Sequence, residues 1–255
     1  MRAGGLFIAL AIFFLGNLSQ GQALNHETSL AEQQAAEKAW AELVKVKGGS
    51  ERLHSLTNML TKFGMPYGVT RLHVFPDRLW HFTYYLDLSP ELDVYDGKTQ
   101  TWHLMNGIDE AVHEDRTSFL MEEQLPFLLE TKFYKPQLIR VRRTKLGSKS
   151  VDVIETIVGR HPMDFVYEPE EMLVSEIWFH HDDGTVWQKY QLSHYSDIAG
   201  IKMPQSIAIW TDLDKFSDKK PRPMPITFEF NVDYDPKIFE PPFRATSPDA
   251  WKRKP

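Results

Sequence analysis

Apolar and polar residues alternate at every step through Ile226-Thr227-Phe228-Glu229-Phe230-Asn231-Val232-Asp233. Period two places Ile226, Phe228, Phe230 and Val232 on one face of a strand and the polar residues on the other. Arg78 to Leu86 repeats the pattern, with Trp80, Phe82, Tyr84 and Leu86 on one face and Leu79, His81, Thr83 and Tyr85 on the other. Strands of this kind build antiparallel sheets with one apolar and one wet face. Shorter stretches of the same texture predict strands over 58–63, 69–75, 92–95, 101–104, 137–143, 151–158, 174–181, 185–192 and 201–210. Asp96-Gly97 and Asp182-Asp183-Gly184 mark hairpin tips, because such turns need positive φ.

Two stretches break this texture. Ser29-Leu30-Ala31-Glu32 is a capping box, and the helix it opens carries Ala36, Ala39, Trp40, Leu43 and Val44 as one apolar stripe until Gly48-Gly49 ends it. Ser50 can cap a second, short helix. Between the early and late strands, 117–129 reads as a helical insertion with Phe119, Leu125 and Leu128 as its apolar positions; Pro126 either kinks or divides it. About ten or eleven antiparallel strands with few helices predict an α+β, mainly antiparallel fold. The sheet is expected to curve as a half-barrel, with the helices covering its concave face. No internal repeat or linker is visible, so residues 24–255 are expected to form a single domain.

The bulk properties narrow the function. A net charge of −6 argues against a nucleic-acid partner. The absence of cysteine removes disulfides, thiol nucleophiles and Cys-ligated zinc. Arg2, the apolar run Leu6 to Leu15 and the small residues up to Ala23 read as a cleavable signal peptide over residues 1–23. The mature protein is then expected to be periplasmic or secreted and not to span a membrane.

Candidate chemistry is sparse. His180-His181-Asp182-Asp183, with His161 and His194, offers zinc-type ligands. However, adjacent strand histidines face opposite sides, and Asp-Asp-Gly is itself a turn signal. A metal-dependent hydrolase built on His180 or His181 with Asp182 is the lesser alternative. His113-Glu114-Asp115-Arg116-Thr117 begins like a zinc-protease helix but has Thr117 where the second histidine belongs. No phosphate loop or dinucleotide fingerprint is present, and no catalytic residue, metal or cofactor is predicted.

Four stretches resemble one family: Gly48-Gly49-Ser50-Glu51-Arg52-Leu53-His54, Leu92-Asp93-Val94-Tyr95-Asp96-Gly97-Lys98, Tyr195 to Pro204, and Asn231 to Pro242. In that order they are similar to the outer-membrane lipoprotein-sorting, LolA-like group of secreted bacterial proteins. The resemblance implies a half-barrel whose helices cover a hydrophobic cavity for acyl chains, closed by an arginine on the sheet that holds a helical lid. Arg71 and Arg78 sit on strands, but neither carries a matching motif. The region Gly159 to Glu171 departs from the pattern. The expected function is a non-enzymatic binder or carrier of a lipid or lipoprotein acyl chain. Trp80, Phe82, Tyr84, Leu86, Ile226, Phe228 and Phe230 are the cavity candidates, with Phe119, Leu125 and Leu128 as lid. The alternative is an envelope sensor that uses the same fold to recognise a protein partner.

Overall fold

The structure, a computed structural model, describes residues 28–253 except 65–66, 86–89, 99, 105–107, 113–116, 212–220 and 241–246. Residues 1–23, Leu86 and the His113–Arg116 stretch therefore lie outside the described residues. Helix α1 (Leu30–Lys47) has the capping box: Ser29 Oγ accepts from the Glu32 amide, and the Glu32 carboxylate accepts from the Ser29 amide. Helix α2 (Ser50–His54) follows at once.

Six strands come next: β1 (Asn58–Phe63), β2 (Tyr67–Val74), β3 (Arg78–Tyr85), β4 (Glu91–Tyr95), β5 (Gln100–Leu104) and β6 (Ile108–Val112). Helix α3 (Thr117–Leu128) then leads to β7 (Gln137–Leu146), β8 (Lys149–Val158), β9 (His161–Glu168), β10 (Leu173–His180), β11 (Val186–Ile198), β12 (Ile201–Thr211) and β13 (Met224–Phe230). Among the described residues these thirteen strands form one open antiparallel sheet, ordered β6-β5-β4-β3-β2-β1-β13-β12-β11-β10-β9-β8-β7. Two of the thirteen, β6 and β9, are not among the strands the alternation predicts: Ile108–Val112 lies in the stretch that breaks the β texture, and His161–Glu168 lies in the Gly159 to Glu171 region that departs from the family pattern.

The topology explains why α3 crosses the sheet. The chain walks outward from β1 to one edge at β6, and the next strand, β7, is the other edge. The connection must span the whole sheet, and β13 returns to fill the seam beside β1. Leu120 of α3 packs with Leu79 and Tyr95 of the first half of the sheet. Ser118 lies against Gly159 of the second half. One helix can touch both halves because the sheet curves around it.

The resembling motifs are structural joints. Asp197 to Gly200 closes the β11–β12 hairpin: Ala199 and Gly200 take φ of 52° and 80°, and the Gly200 amide donates to Asp197 Oδ1. The Gly48–Arg52 stretch docks on this turn, with Arg52 Nη1 donating to the Gly200 carbonyl at 2.8 Å. A Cβ on Gly48 would lie 2.7 Å from that carbonyl oxygen, so the approach requires glycine. At the end of β13, Asn231 Oδ1 accepts from the amide and hydroxyl of Thr57, and Asn58 pairs twice with the Val232 backbone.

Both faces of the sheet carry apolar clusters. On the inner face, α1 and α3 cover a core that includes Trp40, Leu125, Phe127, Leu128, Phe165, Ile226 and Phe228. Trp40 meets Phe165 edge-on, with centroids 5.0 Å apart. On the outer face, the 3-10 turn Pro236–Phe239 and Trp251 cover Leu60, Leu72, Trp80, Phe82, Leu92 and Val94.

Candidate functional site

The inner face of β13 and β1 is the floor of the site. Thr61 faces Phe228, Met59 faces Phe230 and Phe63 faces Ile226 across the β1–β13 ladder, so all six share one side. Ile226 and Phe228 are buried there and Phe230 is half-buried. Cross-strand register carries the same side onto Arg71 and His73 of β2 and then His81 of β3. The middle of this floor is thus polar, a row of Thr61, Arg71 and His81 ending at Asp93 of β4.

Helix α3 is the roof. Pro126 sits inside the helix, which continues to Leu128 and ends where Leu129 takes a left-handed φ of 68°. Leu125, Phe127 and Leu128 enter the inner core. Phe127 reaches Phe228, with centroids 5.2 Å apart, and Tyr190 at 6.2 Å. Phe119 packs only beside the small Leu79–Tyr95–Leu120 cluster. An ion pair between Arg71 of the sheet and Glu123 of the helix joins floor to roof, and the Arg71 guanidinium also lies over the Phe63 ring at 5.2 Å.

The polar groups around this pair are poorly satisfied. Gln124 is fully buried and neither amide atom has a partner. His73 Nδ1, Thr61 Oγ1 and Arg71 Nε are likewise buried and unpaired. Burial, reinforced by the Arg71 charge, lowers the His73 pKa to about 3, so this ring is neutral at physiological pH. Burial, with Arg71 and His73, also pushes His81 well down. Burial, with the neighbouring Glu123 charge, raises the Glu122 carboxyl to about 7. Glu122 lies 3.7 Å from His161 of β9. Where α1, α3 and β10 meet, a void of only about 10 Å³ remains between Leu43, Lys47, Pro126, Leu129 and Tyr195. The inner face at that junction is filled by the protein's own side chains.

The predicted cavity residues do not come together. Ile226, Phe228 and Phe230 face inward, whereas Trp80 and Phe82 face outward and are buried beneath the C-terminal segment. Tyr84 is 45% exposed and shares with Phe82, Phe63 and Pro248 an open groove of about 530 Å³. Alternation sorts residues within a strand into two sets. It does not say which set of β3 shares a side with which set of β13. The inward set of β3 is Leu79, His81 and Thr83, the polar one. A second open groove, of about 650 Å³, lies by Trp187, Lys189 and Trp210 of β11 and β12.

The histidine–aspartate candidates are dispersed as well. His180 pairs with Asp164 at 3.2 Å and with the Gly184 carbonyl at 3.0 Å. Burial alone would lower its pKa, but the Asp164 hydrogen bond and charge outweigh it and raise it. Asp183 accepts from the Thr185 amide and hydroxyl as a turn cap. His181 lies near the Trp187 ring. No group of three ligands that could hold a metal occurs among the described residues. Of the two strand arginines the sequence left unassigned, Arg71 is the one paired with the helix; the residues that sequence reasoning missed are Glu123, His73 and Gln124. The signal available was the polar set of β3 and β2, read as a wet face although it lies on the inner side of the sheet.

No family model and no curated protein matches the sequence. Among solved structures, the fold is similar to that of a LolA superfamily protein from Nitrosomonas europaea, 11% identical, with a TM-score of 0.50 over 80% of this chain and 97% of that one. A putative outer membrane lipoprotein-sorting protein domain from Vibrio parahaemolyticus is 10% identical, with a TM-score of 0.44 over 80% and 97% of the two chains. A DUF1329 family protein from Desulfovibrio piger is 9% identical, with a TM-score of 0.47 over 81% and 98%. At these identities the likeness is one of fold, and the expected LolA-like half-barrel is the fold observed. Among the described residues no helix is long and apolar enough to cross a membrane.

Proposed function

We propose that this chain is an exported, non-enzymatic binder or carrier of a hydrophobic ligand, a lipid or acyl chain. The ligand is held against the inner face of the sheet, with α3 as its lid. Ile226, Phe228 and Phe230 form the floor, and Leu125, Phe127 and Leu128 occupy the ligand's place while the lid is closed. The observation that carries this reading is the way α3 is seated. Its apolar side chains fill the core, yet Gln124 is fully buried with both amide atoms unpaired. A buried unpaired polar group costs about 1–3 kcal/mol, which weakens the seat of a helix that would otherwise be permanent core. One ion pair to the sheet, Arg71–Glu123, is a releasable fastening.

Magnitudes favour long chains. Withdrawing Leu125, Phe127 and Leu128 into water costs about 1.5–3 kcal/mol each, and each buried methylene returns about 0.8 kcal/mol. The exchange balances at about six to eleven methylenes, before the cost of association. Binding should therefore rise steeply with acyl length.

Titration of the purified protein with saturated fatty acids of increasing length, read by displacement of a fluorescent fatty acid, tests the proposal. Mass spectrometry of a solvent extract is the second readout. Stoichiometric binding with a length threshold is expected. No uptake of any chain, together with no co-purified lipid, would overturn it.

A further inference from the structure

Resting on the carrier reading, we infer that the ligand is an amphiphile with an anionic headgroup, and that its headgroup is received by Arg71 within the polar row of β1 to β3. A pocket for a bare hydrocarbon tail gains nothing from polar side chains, and burying them unpaired is unfavourable. Yet Thr61, Arg71 and His73 share the inner side of β1 and β2, by the register that pairs Thr61 with Arg71 and Met59 with His73. Thr61 is 2% exposed and His73 1% exposed, and both lack a partner for a side-chain polar atom. Arg71 Nε is also buried without a partner although its Nη1 is engaged. These groups supply donors: a hydroxyl, a guanidinium with spare N–H and a neutral imidazole.

The closed form indicates what they receive. A carboxylate already sits on Arg71, and it belongs to Glu123 of the lid. Opening the lid withdraws that carboxylate and leaves the guanidinium, beside the Phe63 ring, without the counter-ion it has in the closed form. A ligand carrying its own anion restores the pair, whereas a neutral ligand leaves the charge uncompensated, which is costly in a partly desolvated site. Glu123 and the ligand headgroup thus compete for one cation. Lid opening and headgroup binding are then the same exchange.

The test compares myristate with tetradecanol, equal in chain and different in charge, by competitive displacement of a fluorescent probe. The wild type is expected to prefer the acid by about 10- to 100-fold, the worth of a charge-assisted hydrogen bond. In the double variant Arg71→Leu with Glu123→Leu, which removes cation and competitor together, the ratio should fall to near one while tetradecanol still binds. Glu123→Gln loosens the lid for both ligands, and its acid-to-alcohol ratio should stay at or above the wild-type value. Equal affinity in the wild type, or a preference that survives the double variant, overturns the headgroup site and leaves the carrier reading intact. Binding of neither ligand removes both.

Discussion

Replacing Phe127 with alanine separates a lid from a permanent core. The ring is 3% exposed and is wedged between Phe228 and Tyr190. Truncating a buried phenylalanine costs about 3–5 kcal/mol. If α3 detaches as a unit, that cost falls on the equilibrium between docked and undocked helix, not on the unfolding of the sheet. The undocked population then rises by about 100-fold or more, since each 1.4 kcal/mol is about tenfold. Because the apparent affinity scales with the population competent to bind, fatty-acid affinity should rise even though a contact has been removed. The assay has two parts: hydrogen exchange resolved along the chain, and fatty-acid titration. Loss of amide protection confined to α3 and its flanks, with tighter binding, is the expected outcome. A uniform loss of protection across β1, β2 and β13, with weaker binding, would show that α3 is ordinary core and refute the reasoning.

Other predictions follow from the same geometry. Gly159→Ala should loosen α3, because Gly159 has a φ of 62° and a Cβ there would lie 2.7 Å from Ser118 Cβ. Gly147→Ala is the control, with a φ of 61° and nothing within 4 Å of the added Cβ, so a larger loss of thermal stability at 159 measures the helix contact itself. The carboxyl of Glu122, raised to about 7, holds its proton more tightly when α3 is docked. Its contribution to docking is present in full below the ordinary carboxylate pKa and is lost as pH rises through about 7. Exchange of the α3 amides, corrected for intrinsic rates, should therefore speed up from acidic to neutral pH, and Glu122→Gln should flatten the profile. Lys47, lowered by burial to about 7, disfavours the fold wherever the unfolded chain keeps its lysine charged. Lys47→Met should raise the melting temperature at neutral and acidic pH, with the gain shrinking toward the ordinary lysine pKa.

Much of the architecture was legible because it is written in local chemistry. The capping box at Ser29 and Glu32, the Ala36–Val44 stripe and the Gly184 turn each depend on neighbours a few residues away. The course of α3 was legible too, apart from Pro126, which the helix absorbs near its end. What could not be read was the pairing of faces. Trp80, Phe82 and Tyr84 look like cavity wall, since aromatic strands are most often turned toward a core. The C-terminal turn at Phe239 and the Trp251 ring, far away in sequence, build a second core on the outer side that claims Trp80 and Phe82 and leaves Tyr84 in an open groove. The consequence is that His73 and His81, which alternation assigns to a wet face, lie on the inner side of the sheet with Arg71. The Arg71–Glu123 pair spans 52 residues and follows no periodicity, so only the folded chain reveals it.

The claim that a hydrophobic ligand displaces α3 from the inner face is tested most directly by photocrosslinking. A fatty acid carrying a diazirine at the end of its chain would be bound, irradiated, and its attachment sites mapped. Attachment to Phe228, Tyr190 and their neighbours on β11 and β13, with loss of exchange protection in α3, is the predicted result. Attachment to the outer grooves beside Tyr84 or Trp210, with α3 still protected, would contradict it.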